Sequence, residues 1–216
     1  VFTLHAGATA GGSGPDWSDV TMPAVAAVSR NDLRKFSLDS TAATAALRAM
    51  ESVADVLRLA TDEDVLFHSM LNVVMNALPR ADAAAMVLVP PESTDEQPRI
   101  VVRTQVERMA GHSDRFMPSR KLADKAIRRE SHSIAYAWAA GIQDSSSMTV
   151  AAEVRGGTPW AICTPFQDGS GMGLYVAGRL PRAPDVRDGK LQDRELTECQ
   201  KIVELIASLV ESTRKS

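Results

Sequence analysis

Apolar residues along this chain follow two periods, and the change between them marks the elements. From about Ala42, Leu47, Met50, Val53, Ala54 and Leu57 fall at three- and four-residue steps, which predicts an amphipathic helix of roughly five turns. Thr61-Asp62-Glu63-Asp64 then reads as a helix start, with Thr61 as N-cap and Asp64 three residues on. The next helix carries Val65, Leu66, Met70, Leu71, Val73, Val74 and Leu78 and stops at Pro79. Ala83 to Val89 is a continuous apolar run closed by Pro90-Pro91, the pattern of a central strand buried on both faces. Ile100–Val106 is its expected antiparallel neighbour.

Ser119 is placed to cap a further helix, with Leu122, Ala123, Ala126 and Ile127 on one face and Lys121, Lys125, Arg128 and Arg129 on the other. Ser133–Tyr136 reads as a short strand. Trp160–Phe166, the turn Gln167-Asp168-Gly169-Ser170-Gly171 and Met172–Gly178 form the clearest β-hairpin in the chain. The C-terminus is a long helix. Leu196, Cys199, Val203, Ile206 and Val210 make one apolar row and Ile202, Leu205 and Leu209 a second beside it. Two rows exceed what one sheet face needs, so one is expected to pack on the domain and the other to meet the same helix of a second subunit. The alternative is a helix sunk deeply in its own domain.

Residues 1–41 mix Gly, Ser, Thr, Ala and Pro without a sustained period and read as a linker or N-terminal extension; residues 42–213 form the expected domain. A length of 216 residues fits one domain with extensions. The balance of 24 Lys+Arg against 27 Asp+Glu argues against a dedicated nucleic-acid binder, which carries a basic surplus. The longest strictly apolar stretch, Ala83 to Val89, falls far below the roughly 18 residues of a membrane span, so no membrane association is expected. Cys163 and Cys199 are too few for a disulfide scaffold, which favours a reducing, cytoplasmic setting. The start at Val1, without Met or a basic signal-peptide head, suggests a piece of a longer polypeptide.

Most chemical motifs are missing. Gly169, Gly171 and Gly173 do not open a helix, as a dinucleotide-binding loop requires, and no Walker-type or Gly-x-Ser-x-Gly pattern exists. His5, His68, His112 and His132 lack metal-ligand spacing, so no metal is expected. Cys163 is read as a buried strand thiol and Cys199 as a packing residue, and Asp62-Glu63-Asp64 as charge at the positive end of a helix dipole. The basic helix face reads as solvated. What stands out is the middle of the chain, where Met117, Tyr136, Trp138, Met148 and Trp160 lie in or beside loops of a chain with only 5% aromatics. They are candidates for the wall of a pocket over one sheet face, with Arg103, Thr164, Ser145, Ser146 or Ser147 as polar contacts, or else for the lid of a small core.

The order of these elements resembles that of a GAF domain, a small sensory module of signalling proteins, over about residues 45–213. Ile162-Cys163-Thr164-Pro165-Phe166 followed by Gly171-Met172-Gly173-Leu174-Tyr175-Val176 is similar to that family's hydrophobic-Pro-hydrophobic strand, Gly turn and Tyr-bearing strand. Leu191-Gln192-Asp193-Arg194-Glu195-Leu196 is similar to its entry to the last helix. Pro118–Leu122 through Glu130–Ile134 resembles the helix and short strand of members that follow forkhead-associated domains, arrangements that often precede a nucleotidyl cyclase or a transcriptional-activator output. The resemblance implies an α+β fold, with a central antiparallel sheet, N- and C-terminal helices bundled on one face and a ligand cavity on the other. It also implies a homodimer through the terminal helices, here Leu47, Met50, Leu57, Val203, Ile206 and Val210.

The implied function is a regulatory, non-catalytic sensory module of a bacterial cytoplasmic signalling protein, with an unknown small molecule as ligand and no cofactor identified. The rival readings are a dimerisation spacer that binds nothing small, a cyclic-nucleotide-binding module, and a thiol-dependent reductase using Cys163. The Asn-Lys, Phe and Asp-Glu signature of cyclic-nucleotide-binding members is missing, with Leu191 where the Phe would fall. The three spaced cysteines of the free methionine-sulfoxide reductase branch are absent too.

Overall fold

The computed structural model describes residues 27–28, 44, 48, 51, 52, 56, 62–94, 98–108, 116–137, 157–181, 186–187, 190–191 and 194–214. Thr44, Arg48, Glu51, Ser52 and Val56 are helical, in line with the first expected helix; Leu47, Met50 and Leu57 lie outside the described residues. Helix α1 spans Glu63–Ala77, followed by strands β2 (Ala81–Leu88) and β3 (Val101–Glu107). Helix α2 (Arg120–Asp124) runs into a π-helical turn, Lys125–Arg129, and then β4 (Ile134–Ala137). The hairpin β5 (Thr158–Pro165) and β6 (Met172–Leu180) comes next, then the two-residue strands β7 (Val186–Arg187) and β8 (Lys190–Leu191), and helix α3 (Arg194–Arg214). Within the stretch expected as a linker, Ala27–Val28 forms β1, paired with Tyr136 and Ala135 of β4.

Among the described residues the main sheet has six antiparallel strands in the order β1-β4-β5-β6-β2-β3. The apolar run expected as a central strand is β2, flanked by β3 and β6 and buried except at Asp82 and Leu88. A register shift between Met86 and Val87 leaves Arg103 as the extra residue on β3, because Met86 pairs with Thr104 and Val87 with Val102.

Side chains alternate across the sheet, and the two faces differ in size. Met86, Trp160, Ile162, Leu174 and Val176 point to one face, where they pack with α1 residues such as Phe67, Met70, Leu71 and Val74 and with α3 residues Leu196, Val203, Ile206 and Val210. On the other face lie Ala83, Ala85, Ala161, Cys163 and Ala177, with Tyr175 rising among them and Leu122, Ala123, Ala126 and Ile127 of the α2 segment packed above. Both helices of the first layer therefore lie on the face of large side chains.

Local signals set the helix ends. Asp62, one residue after the expected Thr61, is the N-cap of α1: its Oδ1 accepts from Val65 N at 2.8 Å. Asp62 also brings its negative charge to the positive end of the helix, beside Glu63 and Asp64. At the other end Arg108, just past β3, donates to the carbonyl oxygens of Met75, Leu78 (3.2 Å) and Ala81 (2.9 Å). A guanidinium at the negative end of α1 satisfies carbonyls the helix leaves open. An Arg80–Glu195 ion pair joins the turn after α1 to the start of α3.

On α3 the first apolar row is spent on the chain's own core, since Leu196, Val203, Ile206 and Val210 are fully buried. Val203, Ile206 and Val210, expected at a dimer interface, are thus core residues of the protomer. Ile202 is buried with them, while Leu205 and Leu209 of the second row are half-buried at the margin.

Close approach of strand to helix layer depends on Gly178. A Cβ there would meet the Arg80 carbonyl oxygen and lie 2.7 Å from Cζ2 of Trp160, whose indole crosses the bare backbone. Gly178→Ala is therefore expected to lower unfolding free energy by about 2–3 kcal/mol through overpacking. Gly169→Ala, at φ 74 with nothing within 4 Å of the new methyl, meets only backbone strain of about 1 kcal/mol. Urea denaturation of the two variants checks the difference; equal losses would contradict the packing argument.

Candidate functional site

The face away from α1 and α3 is the candidate site, and its floor is built by strand alternation. Ala83 and Ala85 of β2, Ala161 and Cys163 of β5 and Ala177 of β6 are small and buried, so this face is low and is covered by Tyr175 and the α2 segment. Tyr175 projects from this floor; its ring lies 6.0 Å from Phe116 and its hydroxyl accepts from Ser119 N at 3.1 Å. Ser119 in turn caps α2, its Oγ accepting from Leu122 N. Burial pushes the Tyr175 phenol up, so the hydroxyl stays neutral and keeps its acceptor role.

Tyr136 on β4 shares this face, opposite Ala161 in register, and is half-buried. Lys125, the first residue of the π-turn, donates to its hydroxyl at 3.1 Å and stands 5.7 Å from its ring centroid. The hydrogen bond to Tyr136 raises the lysine's pKa above the ordinary range despite desolvation, helped by Glu130 at 3.3 Å. Glu130 also meets His132 Nε2 at 2.8 Å. The rim at this corner is thus a phenol, an ammonium and a carboxylate in contact.

Asp124, 1% exposed, is the most deeply buried carboxylate among the described residues. Its Oδ1 accepts from Arg128 Nε at 2.9 Å and from Ser93 Oγ at 3.2 Å, and its Oδ2 from Arg129 Nε at 2.9 Å. Ser93 Oγ accepts from Arg99 N at 3.0 Å, which ties the loop after β2 to the same group. Desolvation, the largest influence, pushes Asp124 up, but the hydrogen bonds from Arg128, Arg129 and Ser93 together hold it below its ordinary value of 3.8.

Among the described residues, those expected in the pocket wall do not converge. Trp160 and Thr164 point to the opposite face: Trp160 is fully buried in the helix-side core, and Thr164 Oγ1 lies 2.7 Å from Ser133 Oγ. They share a period with Ile162, and period-2 alternation shows which residues face together without showing which face that is. Arg103 is exposed on the edge strand and Met117 is 53% exposed. Tyr136 alone of the described set lies on the small-residue face; Trp138, Met148 and Ser145–Ser147 lie outside the described residues. Sequence reading misses Lys125 and Tyr175 as site groups, although the first is visible on the basic face of its helix and the second in the hairpin motif.

Cys163 is fully buried and burial alone pushes its thiol far up, which removes the thiolate that a nucleophilic role requires. Among the described residues no three His, Cys, Asp or Glu side chains are grouped to hold a metal ion. No helix among them is long and apolar enough to cross a membrane.

A third polar group lies on the helix side. Gln200 of α3, fully buried, donates from Nε2 to Ser133 O at 3.0 Å and Ser133 Oγ at 3.1 Å, and Ser133 Oγ meets Thr164. Gln167 N, in the β5–β6 turn, donates to Glu211 Oε2 at 2.9 Å, and Gln167 Nε2 to Ser131 O at 3.1 Å. The segment before β4 is thereby tied to α3.

An antiparallel sheet with a helix layer on one face and a short helix over a small-residue floor on the other is a GAF-like α+β fold. No family model matches the chain, and no curated protein matches it in sequence. Solved structures do. The chromophore-binding domain of an unusual bacteriophytochrome from R. palustris is similar at 11% identity and a TM-score of 0.43, over 77% of this chain and 60% of that one. That of Stigmatella aurantiaca phytochrome P1 is similar at 12% and 0.47, over 82% and 62%. The phycoerythrobilin-bound GAF domain of a cyanobacterial phytochrome is similar at 14% and 0.39, over 83% and 98%. The chain spans about three fifths of the first two proteins and nearly all of the third.

Two outcomes are expected. Asp124→Asn should lower unfolding free energy near neutral pH by about 2 kcal/mol, because two guanidiniums lose their anion. Asp124's carboxyl is held below 3.8, so the wild-type advantage is complete above that value and fades as pH falls through the lower folded value. Urea titrations between neutral pH and pH about 3 should show the gap closing; a constant gap would contradict the assignment. Cys163 should resist iodoacetamide in the native chain and react on unfolding, as read by peptide mass spectrometry.

Proposed function

We propose that this chain is a regulatory sensory module that takes up a small molecule on the small-residue face and passes the event to α3. The observation that carries the reading is the unequal sheet. Interiors are close-packed, so the volume above a face of small side chains has to be filled by groups brought from elsewhere. Here Ala83, Ala85, Ala161, Cys163 and Ala177 keep one face low beneath Tyr175 and the short α2 segment, and Tyr136 and Lys125 set polar groups at its border. A phenol and an ammonium fit a ligand that offers both an aromatic or conjugated face and an acceptor oxygen.

The module belongs to a bacterial cytoplasmic signalling protein in this proposal, with an output domain such as an adenylate or guanylate cyclase elsewhere in the full-length polypeptide. It works as a homodimer. Because Val203, Ile206 and Val210 are used within the protomer, the α3 residues left to face a twin are Leu205 and Leu209, at the margin of the core. The module itself performs no catalysis; a shift of a few kcal/mol between two helix packings suffices to change populations.

Native mass spectrometry of chain purified from its host tests both halves, since one spectrum gives subunit number and any retained small molecule. The expected result is a dimer carrying a bound mass. Ala161→Leu, which raises the floor, should abolish retention while leaving the far-ultraviolet circular dichroism unchanged. Retention undiminished in that variant would place the ligand elsewhere.

A further inference from the structure

The turn Lys125–Arg129 is π-helical, closed by a hydrogen bond from Glu130 N to Lys125 O at 2.9 Å. Such turns carry one residue more than an α-turn and are rare, so something must hold this one. Asp124 supplies the hold. In an α-helix, residue i+4 sits about 40° round the axis from residue i and residue i+5 about 140°, so only the former reaches a side chain at i. Yet the Asp124 carboxylate takes Nε of both Arg128 and Arg129 at 2.9 Å. Arg129 reaches it only because the wider turn brings i+5 back toward i. The Arg128 contact is compatible with either register; the Arg129 contact belongs to the π register.

Residues 131–133, just beyond the turn, are connected to α3 at two points. Ser131, at φ 49 in the left-handed region that non-glycine residues seldom occupy, gives its carbonyl to Gln167, whose backbone N–H binds Glu211. Ser133 receives Gln200. Positions 200 and 211 are three helical turns apart and differ by about 20° in direction, so both ties fall on one side of α3. On the other side of the turn, Lys125 holds Tyr136 at the border of the small-residue face.

We propose that Asp124 and Arg129 are a register lock: they keep the turn π-helical, and the turn's register sets where α3 rests on the sheet. Relaxation to an α-turn rotates Lys125 away from Tyr136 and pulls residues 130–133 out of the positions in which Gln200 and Gln167 meet them. The lock is a property of the chain alone. Its use by a ligand at Tyr136 and Lys125 rests on the functional reading above.

Hydrogen–deuterium exchange on the unliganded chain tests the lock without reference to any ligand. Arg129→Ala should accelerate exchange in α3 peptides covering 200–211 by about tenfold, while α1 peptides change by less than about twofold. Arg128→Ala removes the same charge from the same carboxylate but no contact specific to the π register, so α3 should accelerate no more than α1 does. Arg129→Lys, a milder change that serves if the alanine variant does not fold, should show smaller acceleration in the same peptides. Unchanged α3 exchange in the Arg129 variants overturns the proposal. So does equal acceleration in Arg128→Ala, or acceleration in α1 to match α3, which reports general loss of stability.

Discussion

The alternation of side chains through β2, β5 and β6 governs the rest of the molecule. Most residues on the side of α1 and α3 are large, Ala84 and Gly178 excepted, and the residues between are mostly small. The large set gives two helices a surface on which to bury apolar area, worth roughly 25 cal/mol for each Å² removed from water. The small set forbids a matching layer of long helices at the same spacing and leaves room for the short α2 segment and for Tyr175. A one-residue slip of any of these strands would exchange the faces and undo both layers at once.

Two buried polar groups and one exposed arginine give this apolar plan its geometry. Asp124 with Arg128, Arg129 and Ser93, Gln200 with Ser133 and Thr164, and Arg108 on the last carbonyls of α1 each join elements distant in sequence. Hydrogen bonds of this kind contribute modestly when made and cost more when one partner is left alone in the interior. They therefore act less as glue than as alignment: an apolar helix can slide or turn on a sheet, but the amide of Gln200 ties α3 to Ser133 at one point.

Much of this architecture is readable in the residues. The β5–β6 hairpin, the doubly buried β2, the Ser119 cap and the end of α1 near Pro79 all come from local signals that tertiary structure does not override. The N-cap at Asp62 rather than Thr61 is a one-residue shift between two acceptable caps. The π-turn has no sequence signature, because what holds it is a carboxylate meeting i+4 and i+5 at once, together with Ser93 from another part of the chain. That Trp160 faces the helix side is not readable in its pattern, because alternation is symmetric until a glycine such as Gly178 shows which backbone the indole must cross. Both α3 rows are visible in the sequence, but the row expected to meet a twin subunit is the one the protomer buries. Two residues as ordinary as Ala27 and Val28 carry no strand signal of their own and are specified by the free edge of β4.

The outer edge of β3 bears on the protein's fate in a crowded cell. Among the described residues it has no neighbouring strand in the main sheet, and an open edge is a template on which identical chains can zip together into insoluble fibres. Arg103 interrupts that template by breaking the spacing of the backbone groups and by adding an exposed charge to the edge strand. Such a blunted margin discourages uncontrolled polymerisation at the sheet, so the strand that closes the fold on this side does not also become its point of growth.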